Sequence, residues 1–279
     1  MREALPEEAI DHDLHRLGPA MVDVAVVANP PPGSLRDLGN LQLIQSLWAG
    51  VDRLLGDATL PLDVPLARMV DPAMAEAMAE TALWAVLSLQ RGFFAYQRQQ
   101  QAGVWRVLPQ RRADELQVAV LGQGALGGRV AQRLSTAGYR VHGWRRGGGP
   151  LAPVLAASDV VVNLLPLTEE TRGLFNARTF GAMKAGAGFV NLARGAQVAE
   201  PDLLAALDSG QVGHAVLDVF QAEPLSPGHA FWAHPCVTVL PHAAALTDPR
   251  SAAAVVAQNV RALRAGRPLA HLVDRARGY

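Results

Sequence analysis

The run Val118-Ala119-Val120-Leu121 leads directly into Gly122-Gln123-Gly124-Ala125-Leu126-Gly127. No other feature narrows the fold as much. A short apolar strand, three glycines in the pattern G-x-G-x-x-G and a helical stretch beyond them make the opening of a βαβ unit that cradles a dinucleotide. Gly122 permits the tight turn and Gly124 lets a pyrophosphate approach the backbone. Gly127 lets the helix pack on the strand, and the helix N-terminus faces the phosphates. The bland alternative, a purely structural glycine turn, explains the flanking strand and helix less well.

Around this unit the chain reads as alternating strands and helices. The apolar run 22–28 reads as a buried strand, 41–47 and 66–70 as further strand candidates, 117–121 and 139–144 as strands, and 159–165, 188–192, 215–219 and 237–240 as buried strands. A long helix is expected over 73–101, interrupted near Gly92 or Gly103, and another over 249–265. Residues 5–17 suggest a short helix, and 103–115 an exposed arm. Alternation of this kind predicts an α/β chain with a Rossmann-type doubly wound parallel sheet. At 279 residues there is room for a second, smaller domain.

Composition excludes several classes. The formal net charge is zero, which argues against a nucleic-acid partner or a polybasic membrane patch. No apolar run approaches a membrane span. Cys236 is the single cysteine, so no intrachain disulfide forms, and a reducing cytoplasm is the default. Nothing in the spacing of His, Cys, Asp and Glu suggests a metal site. Lys184 is the only lysine, so 24 of the 25 basic residues are arginine, and any single arginine carries less weight.

The tip of the second strand indicates which dinucleotide is bound. NAD sites place an acidic residue there, about twenty residues on, to hold the ribose hydroxyls. This chain has Gly143-Trp144-Arg145-Arg146 instead. Two guanidinium groups suit a 2′-phosphate, so NADPH is expected, with NADH possible. The alternative is that Arg145 and Arg146 are solvated loop residues. Asp218, at the end of a strand, could hold the nicotinamide carboxamide or simply cap a turn.

Three later runs each present one chemically useful side chain beside a turn former: Asn191-Leu192-Ala193-Arg194-Gly195, Asp218 through Leu225 with Glu223 before Pro224, and Pro241-His242-Ala243-Ala244-Ala245. An arginine for a carboxylate, a histidine as proton donor and a glutamate to hold it are what reduction of a 2-keto acid needs. Hydride addition to a ketone leaves an alkoxide, and a positioned acid contributes roughly 10²–10⁴ in rate. Taken singly, Arg194 reads as a surface arginine, Glu223 as a turn cap and His242 as a buried histidine bonded to backbone.

Together with Trp48-Ala49-Gly50-Val51-Asp52 and Leu164-Leu165-Pro166-Leu167-Thr168-Glu169-Glu170-Thr171, these motifs resemble the D-isomer-specific 2-hydroxyacid dehydrogenases, and within them the glyoxylate/hydroxypyruvate reductase branch. The resemblance runs from about residue 43 to the C-terminus. It implies His242 as general acid, Glu223 as its partner, and Arg194 on the carboxylate and keto oxygen. It implies substrate contacts at Trp48, Ala49, Gly50 and Val51, although Trp48 could equally be packing. Cofactor contacts are implied at Gly122, Gly124, Ala125, Leu126, Gly127, Trp144, Arg145, Arg146, Leu165, Pro166, Thr171, Ala193, Asp218, His242 and Ala244.

The same resemblance implies a dinucleotide domain over 71–246 and a flavodoxin-like substrate domain made of 1–70 and 247–279. It further implies a homodimer built on the long helix and the arm. Two departures are visible. The region before Val22 is too short for the strand–helix–strand unit that opens the substrate domain, which predicts a gap beside 22–28. The segment 147–150, after Arg146, is also short. Two other readings stay open, an NAD-dependent dehydrogenase of another 2-hydroxy acid and a dinucleotide-sensing protein without turnover.

Overall fold

The computed structural model describes residues 1–279 apart from the side chains of residues 14 and 15. The chain forms two compact units, one of Met1–Met74 with Thr247–Tyr279, the other of Ala75–Leu246.

The smaller unit holds a parallel sheet of three strands, β1 (Val24–Val27), β2 (Leu43–Ser46) and β3 (Leu66–Ala67), in that spatial order. Strand β2 is central and every one of its residues is buried. Leu35, Leu38, Leu54 and Leu60 pack with Ile44 and Leu66 in its core. The helix Pro249–Arg264 belongs to this unit, and its buried Asn259 donates to Gln45 Oε1 at 2.7 Å and to the Ala270 carbonyl at 3.1 Å. That helix also anchors the start of the chain. Arg261 pairs with Glu7, and Arg264 with both Glu8 and Asp23.

Strand β1 is an edge of the sheet, with no strand beyond it among the described residues. The segment before it is not the helix expected over 5–17. Only Leu14–Leu17 is helical, and the preceding residues form turns, with Leu5 buried. Pro6 and the run of acidic residues give no apolar stripe to bury, so a longer helix has nothing to hold it. The third strand is also shorter than the expected 66–70, because Arg68 pairs outward to the His271 carbonyl.

The larger unit is a six-stranded, all-parallel sheet of β4 (Gln117–Leu121), β5 (Arg140–Trp144), β6 (Val160–Asn163), β7 (Ala187–Asn191), β8 (Val212–Leu217) and β9 (Val237–Val239). Its order is β5-β4-β6-β7-β8-β9. The chain therefore winds outward from β4 in both directions, and the switch point lies between β4 and β6, where ligands bind at the carboxyl ends of the strands. Continuous Val, Ala and Leu runs fit strands covered on both faces. One face packs Phe175, Phe180, Phe189, Phe231, Leu203 and Leu155; the other packs Met78, Ala82, Val86, Val130 and Leu134.

The expected long helix breaks at Gly92, whose φ of 68° ends Pro72–Arg91 and starts Phe93–Gln101. No helix of the described residues is long and apolar enough to cross a membrane.

Candidate active site

The glycine turn lies at the switch point. Gly122 has φ 100°, and a Cβ there would meet the Leu164 carbonyl oxygen at 2.5 Å. A Cβ on Gly127 would stand 1.7 Å from the Gly122 carbonyl, whereas one on Gly124 would meet nothing within 4 Å. So Gly122 and Gly127 let helix and strand close up, while Gly124 leaves its backbone open at the N-terminus of the helix Ala125–Thr136. Gln123, Gly124 and Ala125 are exposed there. This is a cradle shaped for a pyrophosphate, and the residues present fit a dinucleotide.

At the tip of β5, Arg145 is exposed, and Arg146 bonds Glu170 at 2.5 Å and Thr168 Oγ1 at 3.3 Å. Both guanidinium groups therefore belong to the same strand end as the glycine turn, joined by the Gly122 amide on the Trp144 carbonyl at 2.8 Å. Trp144 itself turns its indole into the core, donating to the Gly149 carbonyl at 3.1 Å. The loop after β6 is closed by Thr171, whose hydroxyl donates to the Pro166 carbonyl at 2.7 Å and accepts from the Thr168 amide at 2.8 Å.

The three candidate catalytic residues all come from loops after β7, β8 and β9. Arg194 follows β7 and is half-buried, with one guanidinium nitrogen on the Ala193 carbonyl at 2.7 Å. Glu223 lies in the loop after β8. Its Oε1 accepts the Phe220 amide at 2.9 Å, and its Oε2 meets His242 Nδ1 at 2.8 Å. His242 follows β9, with φ 55°, a left-handed conformation that costs an L-residue on the order of 1 kcal/mol.

Asp218 holds that strained turn. Its carbonyl accepts the His242 amide at 2.9 Å, and its carboxylate accepts the amides of Ala243 at 2.7 Å and Ala244 at 3.1 Å. Burial pushes its carboxyl pKa up, and those two amides oppose the rise. Of the two roles open in the sequence, turn capping is the one its partners display. Gly195 fixes how closely the Arg194 and Glu223 loops approach, since a Cβ there would stand 1.9 Å from the Phe220 carbonyl carbon.

In the smaller unit, Trp48 to Val51 form the turn between β2 and the short helix Asp52–Leu55. Ser46 Oγ accepts the Trp48 amide at 3.0 Å, and the Trp48 carbonyl accepts from Met69 at 3.1 Å. Ala49 and Gly50 are part-exposed, and Val51 is buried. Three other histidines of the larger unit have different partners or surroundings: His229 pairs with Glu200 and His234 with Asp208, while His214 is buried. Among the described residues no cluster of His, Cys, Asp and Glu could hold a metal ion.

Residue-by-residue reading of the sequence missed three buried amides, Asn163, Asn191 and Gln197, which wire the β6 and β7 loops together. A signal was present, because Asn163 and Asn191 each end an otherwise apolar strand.

Residues 83–244 match the model of the D-isomer specific 2-hydroxyacid dehydrogenase family, NAD binding domain. The chain is 42% identical over 274 residues to glyoxylate/hydroxypyruvate reductase A of Serratia proteamaculans, with 92% of this chain and 88% of that protein covered. Among solved structures, a D-isomer specific 2-hydroxyacid dehydrogenase from Xanthobacter autotrophicus in complex with NADPH is 41% identical. It superposes with a TM-score of 0.90, covering 97% of this chain and 88% of that one. An NADPH-dependent glyoxylate/hydroxypyruvate reductase from Sinorhizobium meliloti, in complex with NADP and sulfate, is 36% identical with a TM-score of 0.87, covering 92% and 86%.

Proposed function

This chain belongs to the D-isomer specific 2-hydroxyacid dehydrogenase family and is an NAD(P)-dependent oxidoreductase; from that premise we propose that it reduces glyoxylate or hydroxypyruvate to the 2-hydroxy acid with NADPH. The observation that carries this is the His242–Glu223 pair at 2.8 Å, in the same unit as the glycine cradle and Arg194. The similarity to glyoxylate/hydroxypyruvate reductases supports the substrate class, and the NADPH complex of a relative supports the cofactor.

In this reading the glycine turn receives the pyrophosphate, Arg145 and Arg146 the 2′-phosphate, and the loops at Leu165–Pro166, Ala193 and Ala244 the rest of the cofactor. Bound NADPH supplies a hydride. Arg194 binds the substrate carboxylate and polarises the keto oxygen. His242, with Nδ1 held by Glu223, presents Nε2 to that oxygen and gives it a proton as charge develops. Trp48, Ala49, Gly50 and Val51 are assigned to substrate binding.

The enzyme is further proposed to work in the cytoplasm as a homodimer, with no nucleic-acid or membrane partner. Half-exposed Trp84, Leu87 and Phe93 on the two helices, and Trp105 and Val107 on the arm, form apolar surface that a second copy would cover.

The test is loss of nicotinamide absorbance with glyoxylate or hydroxypyruvate, with NADPH and NADH run in parallel. Fast oxidation with NADPH alone is expected. Oxidation with NADH instead would remove the 2′-phosphate role of Arg145 and Arg146. Binding of either dinucleotide without turnover would overturn the reductase reading.

A further inference from the structure

Asn163, Asn191 and Gln197 are fully buried polar side chains, placed at the ends of β6 and β7 and in the turn after Arg194. Burying an amide costs free energy unless its donors and acceptors are met, so a cluster of three calls for a reason. Here the bonds are met in full around one residue. Gln197 Oε1 accepts from Asn163 Nδ2 at 2.7 Å and from the Arg194 amide at 3.3 Å. Gln197 Nε2 donates to the carbonyls of Leu165 and Pro166, both at 3.1 Å.

The other two amides brace the same two loops. Asn163 Oδ1 accepts the Leu165 amide at 3.2 Å, and its Nδ2 also reaches Asn191 Oδ1 at 2.9 Å. Asn191 Oδ1 accepts the Ala193 amide at 3.3 Å, and its Nδ2 donates to the Arg194 carbonyl at 3.2 Å. A single amide plane thus grips the Arg194 loop with its oxygen and the 165–166 loop with its nitrogen.

We propose that Gln197 is a positioning residue that sets the cofactor wall at Leu165–Pro166 and the substrate-binding Arg194 loop in one register, with Asn163 and Asn191 as its braces. The proposal rests on the assignment of those loops to cofactor and substrate made above. It explains why hydrogen-bonding amides, and not apolar side chains, fill this part of the core. An apolar residue of the same volume would leave the two carbonyls and the Arg194 amide without these partners. Both loops would then be free to settle independently.

The two faces of the plane can be separated by isosteric changes. Gln197→Glu keeps an acceptor for Asn163 and Arg194 but turns an oxygen toward two carbonyls. Asn191→Asp keeps the acceptor for Ala193 but turns an oxygen toward the Arg194 carbonyl. NADPH affinity is read without turnover, from the fluorescence of the bound nicotinamide, and keto-acid KM at saturating NADPH.

Gln197→Glu should raise the NADPH Kd about tenfold, the effect of roughly one lost net hydrogen bond, and move KM less than about threefold. Asn191→Asp should do the reverse. Lowering the pH should restore NADPH binding to Gln197→Glu, because a protonated carboxyl can donate again. If Gln197→Glu does not fold, Gln197→Met should raise both constants.

Equal changes of under twofold in both constants, with only a lower melting temperature, would overturn the positioning role. Failure of the unaltered protein to bind NADPH would instead overturn the functional reading beneath it.

Discussion

His242 Nδ1 stands 2.8 Å from Glu223 Oε2, while the other oxygen of the same carboxylate accepts the Phe220 amide. The carboxylate is therefore fixed by backbone before it fixes the ring. An ionised carboxylate only accepts, so with Glu223 ionised Nδ1 carries the proton in this contact. Glu223→Gln, with its oxygen kept on the Phe220 amide, turns an NH2 donor toward Nδ1, so the contact disfavours the doubly protonated ring that gives up a proton. A fall in kcat of about 10- to 100-fold is expected, with NADPH affinity unchanged. An unchanged kcat would remove the orienting role of Glu223.

Replacing His242 itself tests the acid. His242→Ala should lower kcat by roughly 10²–10⁴ and move the keto-acid KM by less than about threefold, since a proton donor acts mainly in the transition state. Steady-state kinetics at saturating NADPH would show the split. Turnover near that of the unaltered enzyme would mean that another group supplies the proton.

Gly195 is a sharper structural probe than either. Its missing side chain is what allows the Arg194 turn to lie on the Phe220 backbone, with a virtual Cβ only 1.9 Å from the Phe220 carbonyl carbon. Gly195→Ala must push the Arg194 loop and the Glu223 loop apart. We expect a stability loss of about 1–3 kcal/mol in urea titration. A loss of kcat/KM larger than that of a comparably destabilised core variant should accompany it. Full activity would show that the spacing of the two loops is not critical.

Arg145 and Arg146 set the cofactor prediction. Arg146 is tied to Glu170 and Thr168, so its guanidinium is pre-placed at the strand tip and not spread through solvent. A charge-assisted bond to a phosphate contributes about 1.5–3 kcal/mol. The double change Arg145→Gln, Arg146→Gln should therefore raise the KM for NADPH by about 10- to 100-fold while leaving that for NADH within about threefold. Parallel losses with both cofactors would point to a structural role for the pair.

Much of this was legible in the residues. The G-x-G-x-x-G turn after an apolar strand, and the alternation of strands and helices after it, announce a doubly wound sheet, because strands buried on both faces need unbroken apolar runs. Arg194, Glu223 and His242 were visible as one polar residue per turn. Their mutual geometry was not, since it depends on Asp218 receiving two amides and on Gly195 touching Phe220, contacts between loops far apart in sequence. Gln197 was hidden for the same reason: an isolated glutamine beside alanine carries no signal until the 165–166 loop is folded against it. The burial of the Trp144 ring was not legible either, because it depends on the Gly149 carbonyl receiving its indole N–H.

His214 contributes to the pH dependence of stability. It lies on β8, stacked on Phe94 with ring centroids 4.2 Å apart, and its Nε2 meets Thr238 Oγ1 at 2.9 Å. Its Nδ1 is buried with no hydrogen-bond partner. Burial, with Arg98 and His234 nearby, pushes its pKa down from 6.5 to about 4. The folded protein thus keeps this ring neutral over a range where the unfolded chain protonates it. Above pH 6.5 neither state binds the proton and stability is at its full value. As pH falls from 6.5 toward 4 the unfolded state gains a proton that the folded state refuses, so stability declines by up to roughly 3 kcal/mol. Below about 4 the folded state is protonated too, and this contribution levels off. His214→Gln retains a partner for Thr238 and removes the titration. Urea midpoints between pH 4.5 and 7.5 should fall more steeply for the unaltered protein than for the variant, and identical slopes would show that the ring is charged in the fold.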